Sequence, residues 1–438
     1  VDYQQALDYI HSTHKFGSKL GLENITILLD LMGNPQDDLR FIHVAGTNGK
    51  GSTSNYIASV LITEGYDVGL FTSPFLEIFN ERIRLNGISI ENSDLGVCTA
   101  FVKHHVDKML KLGHDHPTEF EVITAVAFEF YKRKKVDFIV LEVGLGGRLD
   151  STNVIKRAMV SVITPIGLDH TEYLGDTIDK IAFEKAGIIK EGCLTITSPQ
   201  EQDALEAIRK KASDQSARLI ISDYDLVTIK ETSLKGSCFD FAFEGETLKD
   251  LVISMLGKHQ VDNACLALTT LLALRKYSNL YLKDQAIYEG LANAKWAGRL
   301  EQISEDPMIF IDGAHNFHGA MSLRDAMSVY MKDQHKTAIF GMLKDKDVKS
   351  VVELFKDTFD KWILVLPDNP RSMPLDELEA VIRSVNSTVP IEKSNSYQDA
   401  LHRAALETKD EGIQVCFGSL YFIGEIRKIV KKDTVLDA

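Results

Sequence analysis

The chain has 438 residues, too many for one ordinary hydrophobic core and about right for two domains of roughly 150–250 residues each. Asp and Glu number 63 against 49 Lys and Arg, a formal charge of −14, which excludes the broad basic face that nucleic-acid binding requires but leaves room for a local anion pocket. Hydrophobic residues make up 44% and charged residues 26%, the usage of a folded globular chain, and no apolar run approaches the roughly 18–20 residues of a membrane span.

Ala6, Leu7 and Ile10 at helical spacing predict a helix over 2–14, and Ile25, Leu28, Leu29 and Met32 predict a second. The first residues include Asp2 and Asp8 and do not read as a basic-then-apolar leader. Phe41–Ala45 is a brief apolar run entering a glycine, hence a strand, and an amphipathic segment follows from Lys50 to about Glu64. Apolar runs at Val68–Phe71, Phe138–Val143, Val160–Thr164 and Leu194–Thr197 then alternate with helical patterns at 94–112, 120–133 and 176–186. That alternation predicts a mostly parallel sheet covered by helices on both faces.

Leu219–Ile221, Phe239–Phe243 and Leu251–Met255 follow without long helices between them and read as a small antiparallel patch, after which helix returns at 260–276. A second alternating series has strands at Met308–Ile311, Thr337–Phe340, Trp362–Leu366 and Gln414–Phe417. Helices at 317–332, 347–358, 375–385, 397–408 and 420–432 accompany them. The fold class is α/β. A phosphate-loop domain over 1–297 combines a mostly parallel sheet with the antiparallel patch, and a Rossmann-like α/β domain occupies 298–438. Five scattered cysteines (Cys98, Cys193, Cys238, Cys265, Cys416) include no CxxC pair and read as reduced thiols of a cytoplasmic protein.

The chemistry gathers at the ends of the predicted strands. Ala45-Gly-Thr-Asn-Gly-Lys-Gly-Ser52 lies between a strand and a helix, where glycines let the backbone approach phosphates and the helix N-terminus offers N–H groups. Its lysine suits β/γ-phosphates and its hydroxyl suits Mg²⁺, although Val44 holds the usual first glycine position and Gly51 separates Lys50 from Ser52. The bland alternative is a glycine turn before a helix.

Glu142, in Leu141-Glu-Val-Gly-Leu-Gly-Gly-Arg-Leu-Asp150, ends another strand among apolar residues. It is either a hard oxygen ligand for Mg²⁺ or half of an ion pair with Arg148. His170, in Gly167-Leu-Asp-His-Thr-Glu172, is either a solvated turn histidine or part of the same site. Lys185, on an apolar helix beside Phe183 and Ile188, is a surface lysine or a partly desolvated amine. In the second half, Asp312 and His315 follow a strand, Arg299 lies at the domain junction, and Gly418-Ser419 opens the last helix in another anion-binding arrangement.

Taken in order, Gly46-Thr-Asn-Gly-Lys-Gly-Ser52, Phe71-Thr-Ser-Pro-Phe75, Glu81-Arg-Ile83, Leu141 through Asn153, Asp169-His170 and Asp312-Gly-Ala-His-Asn316 resemble one family over about His11 to Ser419. It is the folylpolyglutamate synthase family, often bifunctional with dihydrofolate synthase in bacteria, a branch of the ATP-dependent Mur ligase superfamily. The resemblance implies that ATP phosphorylates a substrate carboxylate and that the amine of L-glutamate displaces phosphate from the acyl phosphate. It implies that Asn48, Gly49, Lys50, Gly51 and Ser52 hold the triphosphate. Ser73 with Glu142, and Glu142 with His170, would bind two Mg²⁺ ions, and Lys185 would be carbamylated. Asn263, Arg299 and Asp312 would reach ATP. His315 and Ser419 would serve the incoming glutamate, and Phe75 and Arg82 the folate pocket.

The implied partners are small molecules (a folate or dihydropteroate, L-glutamate and ATP), with no nucleic acid or membrane, in a monomer. Two domains sharing one ATP imply a hinge near Ala297–Arg299 whose closure excludes water. Two rival functions stand beside this one. A dihydrofolate synthase alone would use the same motifs. A nucleotide-binding regulatory switch would need an Asn-Lys-x-Asp segment, and Lys344-Asp-Lys-Asp347 lacks the Asn. Lys50→Ala is expected to abolish turnover and leave the circular dichroism spectrum unchanged; a folded variant that still turns over removes Lys50 from the site.

Overall fold

The structure is a computed structural model and describes residues 1–17, 20–408 and 412–436. The chain packs as two units. One comprises 1–230, 239–253 and 262–294; the other comprises 231–238, 254–261 and 295–438.

The first unit is built on an eight-stranded sheet. Its strands are β1 (Phe41–Ala45), β2 (Val68–Phe71), β3 (Ile83–Leu85), β4 (Ile88–Ser89), β5 (Phe138–Glu142), β6 (Val160–Ile163), β7 (Leu194–Thr197) and β8 (Arg218–Ile221). Their spatial order is β4-β3-β2-β5-β1-β6-β7-β8. From β2 to β8 all neighbours run parallel, and only β3 and β4 pair antiparallel, at one edge. The central strands are buried throughout and mostly apolar because both faces are covered, as parallel sheets require. Phe41, Ile139 and Leu141 join the core formed with helices Tyr3–Ser12, Glu23–Leu31, Asn92–Lys111 and Glu119–Lys134. The alternate residues turn to the other face, where helix Lys50–Glu64 packs on β5 and β2 and against helix Asp284–Asn293. Gly290 makes that last approach possible: a Cβ there would stand 2.5 Å from Val60 Cα.

Leu219–Ile221 belongs to this sheet and not to the antiparallel patch the sequence predicts. Arg218–Ile221 pairs in parallel with β7, Thr195 opposite Leu219. The reason is the helix Gln202–Asp214 between them, which lets the chain cross over and return in parallel. Its buried stripe is only Ala204, Ile208 and Ala212, too thin to register as a helical pattern. The patch itself is a three-stranded sheet of β9 (Val227–Ser233), β10 (Gly236–Phe243) and β11 (Glu246–Ile253), in the order β11-β10-β9. Its two-residue connections make it antiparallel.

The second unit holds a six-stranded sheet. Its strands are β12 (Glu301–Glu305), β13 (Met308–Asp312), β14 (Lys336–Phe340), β15 (Lys361–Leu364), β16 (Ile391–Lys393) and β17 (Ile413–Phe417), in the order β12-β13-β17-β14-β15-β16. All pairs are parallel except β12 with β13. Phe340, Phe355, Phe359, Trp362 and Phe417 form a contiguous aromatic core, with Phe340 and Phe417 ring centroids 4.8 Å apart. Among the described residues, no helix is long and apolar enough to cross a membrane.

Candidate active site

Because β2, β5, β1 and β6 lie side by side and parallel, the loops leaving their C-terminal ends share one edge, the edge at which open α/β sheets bind ligands. Those loops carry Ser73, Glu142, the 46–52 loop and His170.

The 46–52 loop is fastened from several directions. Thr47 and Asn48 donate their N–H groups to Pro165 O at 3.0 and 3.3 Å. Thr47 Oγ1 donates to Gly167 O and accepts from Gly167 N, each at 3.0 Å. Beneath it, a Cβ on Gly46 would fall 1.8 Å from Thr164 Oγ1, so no side chain fits. Gly49 takes a left-handed φ of 85° and caps helix Lys50–Glu64. A Cβ there would stand 2.4 Å from Asn263 Oδ1, which places the buried Asn263 directly against the loop. Ser52 is buried in the first turn of the helix. Lys50 Nζ donates to Gly46 O and Thr47 O, both at 3.2 Å.

Lys185 comes to the same carbonyl from helix Ile178–Ala186: its Nζ donates to Gly46 O at 2.7 Å. Only 5% of Lys185 is exposed. Burial, and then the nearby Lys50 ammonium, bring its pKa down to about 7, so this amine is substantially neutral near physiological pH. The solvated-lysine reading is excluded. Glu142 is buried and accepts the N–H of Ser73 at 3.3 Å. Arg148 pairs instead with Glu184 at 2.8 Å, so the ion pair considered from sequence goes to a different carboxylate.

The loop after Glu142 folds back and is tied by Asp150. This buried carboxylate accepts from Leu145 N (2.8 Å), Thr152 N (3.0 Å) and Thr152 Oγ1 (2.5 Å). Burial raises its pKa against the pull of those donors. A Cβ on Gly147 would stand 2.9 Å from Lys185 O, and Asn153 Nδ2 donates to Gly187 O at 3.2 Å, so this loop also seats the end of the Lys185 helix. Asp150, Thr152 and Thr164 carry no predicted role; the first two lie in the Leu141–Asn153 block and the third closes the predicted strand Val160–Thr164.

His170 stands at a left-handed φ of 51° and begins helix Thr171–Leu174. Its side chain is half exposed, with Nε2 4.0 Å from Asp169 Oδ1. Phe75 and Arg82 come together in the loop after β2. The Arg82 guanidinium lies 5.3 Å from the Phe75 ring centre and 5.7 Å from that of Phe79. Glu81 gathers the loop by accepting from Leu76, Glu77 and Ile78 N–H.

The other predicted residues belong to the second unit and meet at its own sheet edge, since Asp312 on β13 pairs with Phe417 on the parallel β17. Asp312 is buried and accepts from Leu300 N and Ala314 N, both at 2.7 Å. Burial raises its pKa, and the Arg299 charge opposes that rise. Arg299 packs against Gly313, with its Nη1 2.9 Å from where a Cβ would be. His315 places Nδ1 2.8 Å from Gly313 O. Ser419 is buried just ahead of helix Leu420–Leu436 and accepts from Tyr421 N at 3.3 Å.

Among the described residues, no three His, Cys, Asp or Glu side chains converge as a metal-binding cluster. The buried Glu142 carboxylate is nonetheless a hard oxygen donor at the loop's own edge. Mg²⁺ commonly takes only one or two protein carboxylates and completes its shell with phosphate and water oxygens, so the residues present fit that ion.

The family model described as Mur ligase middle domain matches residues 44–271, and that described as Mur ligase, glutamate ligase domain matches 298–420. The chain is 37% identical over 431 residues to the dihydrofolate synthase/folylpolyglutamate synthase of Bacillus subtilis, covering 98% of this chain and 99% of that one. Its structure resembles the Thermotoga maritima folylpolyglutamate synthase with a TM-score of 0.85 at 36% identity, covering 98% of this chain and 96% of that chain. It resembles Escherichia coli FolC in complex with DHPP and ADP with a TM-score of 0.88 at 29% identity, over 99% of each chain.

Gly46→Ala is expected to lower stability by about 1–3 kcal/mol in urea denaturation, because Thr164 and the strand beneath it have no slack. Isothermal titration is expected to show ATP binding lost with it; wild-type stability in this variant contradicts the close packing of loop on strand.

Proposed function

The chain belongs to the Mur ligase family, in its folylpolyglutamate synthase/dihydrofolate synthase branch, and from that premise we propose that it joins L-glutamate to the carboxylate of a reduced folate at the expense of ATP. We further propose that it makes dihydrofolate from dihydropteroate at the same site. The Bacillus subtilis relative carries both names, and the Escherichia coli neighbour holds DHPP and ADP in one complex. The observation that carries the reading is the anchored phosphate loop, with a buried carboxylate and a near-neutral buried amine beside it.

In the proposed reaction a carboxylate oxygen of the substrate attacks the γ-phosphorus and ADP leaves, giving an acyl phosphate. The neutral amine of L-glutamate then adds to that carbonyl, the proton is removed, and phosphate departs as the amide forms. Phosphoryl transfer asks chiefly for positioning and charge neutralisation. Asn48, Gly49, Lys50, Gly51 and Ser52 suit the triphosphate through backbone N–H groups, one ammonium and one hydroxyl. Asn263, against Gly49, suits the nucleotide side, and we assign Arg299 and Asp312 to the same ligand. Ser73, Glu142 and His170 would hold Mg²⁺, which supplies charge neutralisation at the phosphates when bound.

We assign His315 to the glutamate amine. A carbonyl can only accept, so the contact to Gly313 O places a proton on Nδ1 and orients the ring. Ser419, Phe75 and Arg82 are assigned to substrate, the last two as an aromatic–guanidinium pair suited to a flat heterocycle. One chain carries every assigned residue, which supports a monomer, and its free cysteines support a reducing, cytoplasmic setting.

Lys185 is proposed to carry a carbamate, formed when its neutral amine adds to carbon dioxide and releases a proton. With ¹³C-bicarbonate, NMR is expected to show a carbamate resonance at pH 8 that fades as the pH falls below about 7, where the amine is protonated. The same resonance should be missing in Lys185→Arg, and its persistence there removes the assignment.

The function itself is tested by product mass with ATP, Mg²⁺ and L-glutamate, giving dihydropteroate to one sample and tetrahydrofolate monoglutamate to another. Glutamyl gain in both is expected. Gain with only one leaves a single-function synthase, and gain with neither rejects the substrate class.

A further inference from the structure

His43 lies three residues before Gly46 on β1, fully buried, with its Cα opposite Leu141 on one side and Ser161 on the other. It has no place in the reaction above. Its Nε2 is 2.9 Å from Thr152 Oγ1. The Thr152 hydroxyl already gives its only proton to Asp150 Oδ1, at 2.5 Å. It can therefore only accept from histidine, so the proton of the imidazole sits on Nε2. Nδ1 is buried with no hydrogen-bond partner, which agrees with its being the unprotonated nitrogen of a neutral ring. Burial, with Lys190 nearby, holds the imidazole well below its ordinary pKa. The polar chain thus converges on Asp150: His43 donates to Thr152 and Thr152 to Asp150 Oδ1, while Leu145 N donates to the other carboxylate oxygen, Oδ2.

We infer that His43 is a positioning residue that ties the loop following Glu142 to the strand feeding the phosphate loop. The inference rests on the ligase reading for its effect on turnover. The strand is the fixed partner, because β1 is hydrogen-bonded to β5 on one side and β6 on the other. The loop is the adjustable partner: from Val143 to Asp150 it contains three glycines, and its shape depends on Asp150 gathering its N–H groups. By strand alternation His43 sits on the sheet face opposite Glu142's side chain. The relay therefore holds the loop from behind and contributes nothing to the site's surface. Through Gly147 against Lys185 O and Asn153 against Gly187 O it also fixes the end of the helix that carries Lys185.

The test compares His43→Gln, whose amide N–H can stand where Nε2–H stood, with His43→Leu, which fills the space without a donor. Both are made in the full chain. Steady-state kinetics are expected to show kcat reduced at least about 10-fold in His43→Leu, the loss typical of outer-shell partners, with KM for ATP within about twofold. His43→Gln should recover most of kcat. Hydrogen–deuterium exchange in peptides spanning 143–153 should accelerate in His43→Leu and return toward wild type in His43→Gln. If His43→Leu does not fold, Thr152→Val against Thr152→Ser makes the same comparison. Equal behaviour of the Gln and Leu variants, or unchanged exchange in 143–153, reduces His43 to packing and overturns the proposal. Failure of the wild-type chain to form product would reject the ligase reading, while the exchange measurement would still decide the relay.

Discussion

Gly46 is held from two sides at once. Its Cα rests on Thr164 with no room for a side chain, and its carbonyl accepts one amine from Lys185 and another from Lys50. A turn that is to present N–H groups to an anion must have its carbonyls occupied elsewhere, or their partial charge repels the phosphate. Two amines on one carbonyl meet that need and create a second effect. Burial first, and then the Lys50 charge beside it, drives Lys185 toward its neutral form. The contacts that shape the loop thus also bring up the charge that adds to the effect of burial on Lys185.

The rest of the first unit serves that turn. Parallel pairing of β1 with β5 and β6 delivers Glu142 and the 164–170 segment to the same edge. Pairing of β2 with β5 brings Ser73 to the edge on the other side. In the second unit the rule recurs with different residues: Asp312 and Ser419 meet because β13 and β17 are parallel neighbours. In both units, each group stands at the end of a strand that is buried over most of its length, so its backbone is fixed by the core.

Much of this was legible in the sequence because strands buried on both faces advertise themselves. Phe138–Val143 and Gln414–Phe417 are short, apolar and followed by glycine, so their ends and the residues presented there can be read directly. Arg218–Ile221 was misplaced for the opposite reason: an edge strand is half exposed, and the helix leading to it buries two alanines and one isoleucine. Partner choice was less legible than position. Nothing local says that Arg148 pairs with Glu184 and leaves Glu142 for Ser73, or that Lys185 reaches a carbonyl 139 residues away. Such contacts depend on which strands become neighbours, which is a property of the whole sheet.

The spatial order β2-β5-β1-β6 is not the order of synthesis. β1 ends at residue 45, yet its partners begin at Phe138 and Val160. A growing chain therefore carries β1 with one hydrogen-bonding edge unsatisfied until Phe138 and the other until Val160. Sheets closed by such distant pairing fold slowly, and their open edges invite association with other chains. The four helices that share a core with Phe41 are all encoded before Phe138, so they can shelter one face of β1 while it waits. A fragment ending before residue 163 would keep the glycines and lysine of the phosphate loop but lack the carbonyl of Pro165 that organises its turn. The 46–52 turn is thus fastened only after its own residues have long left the ribosome.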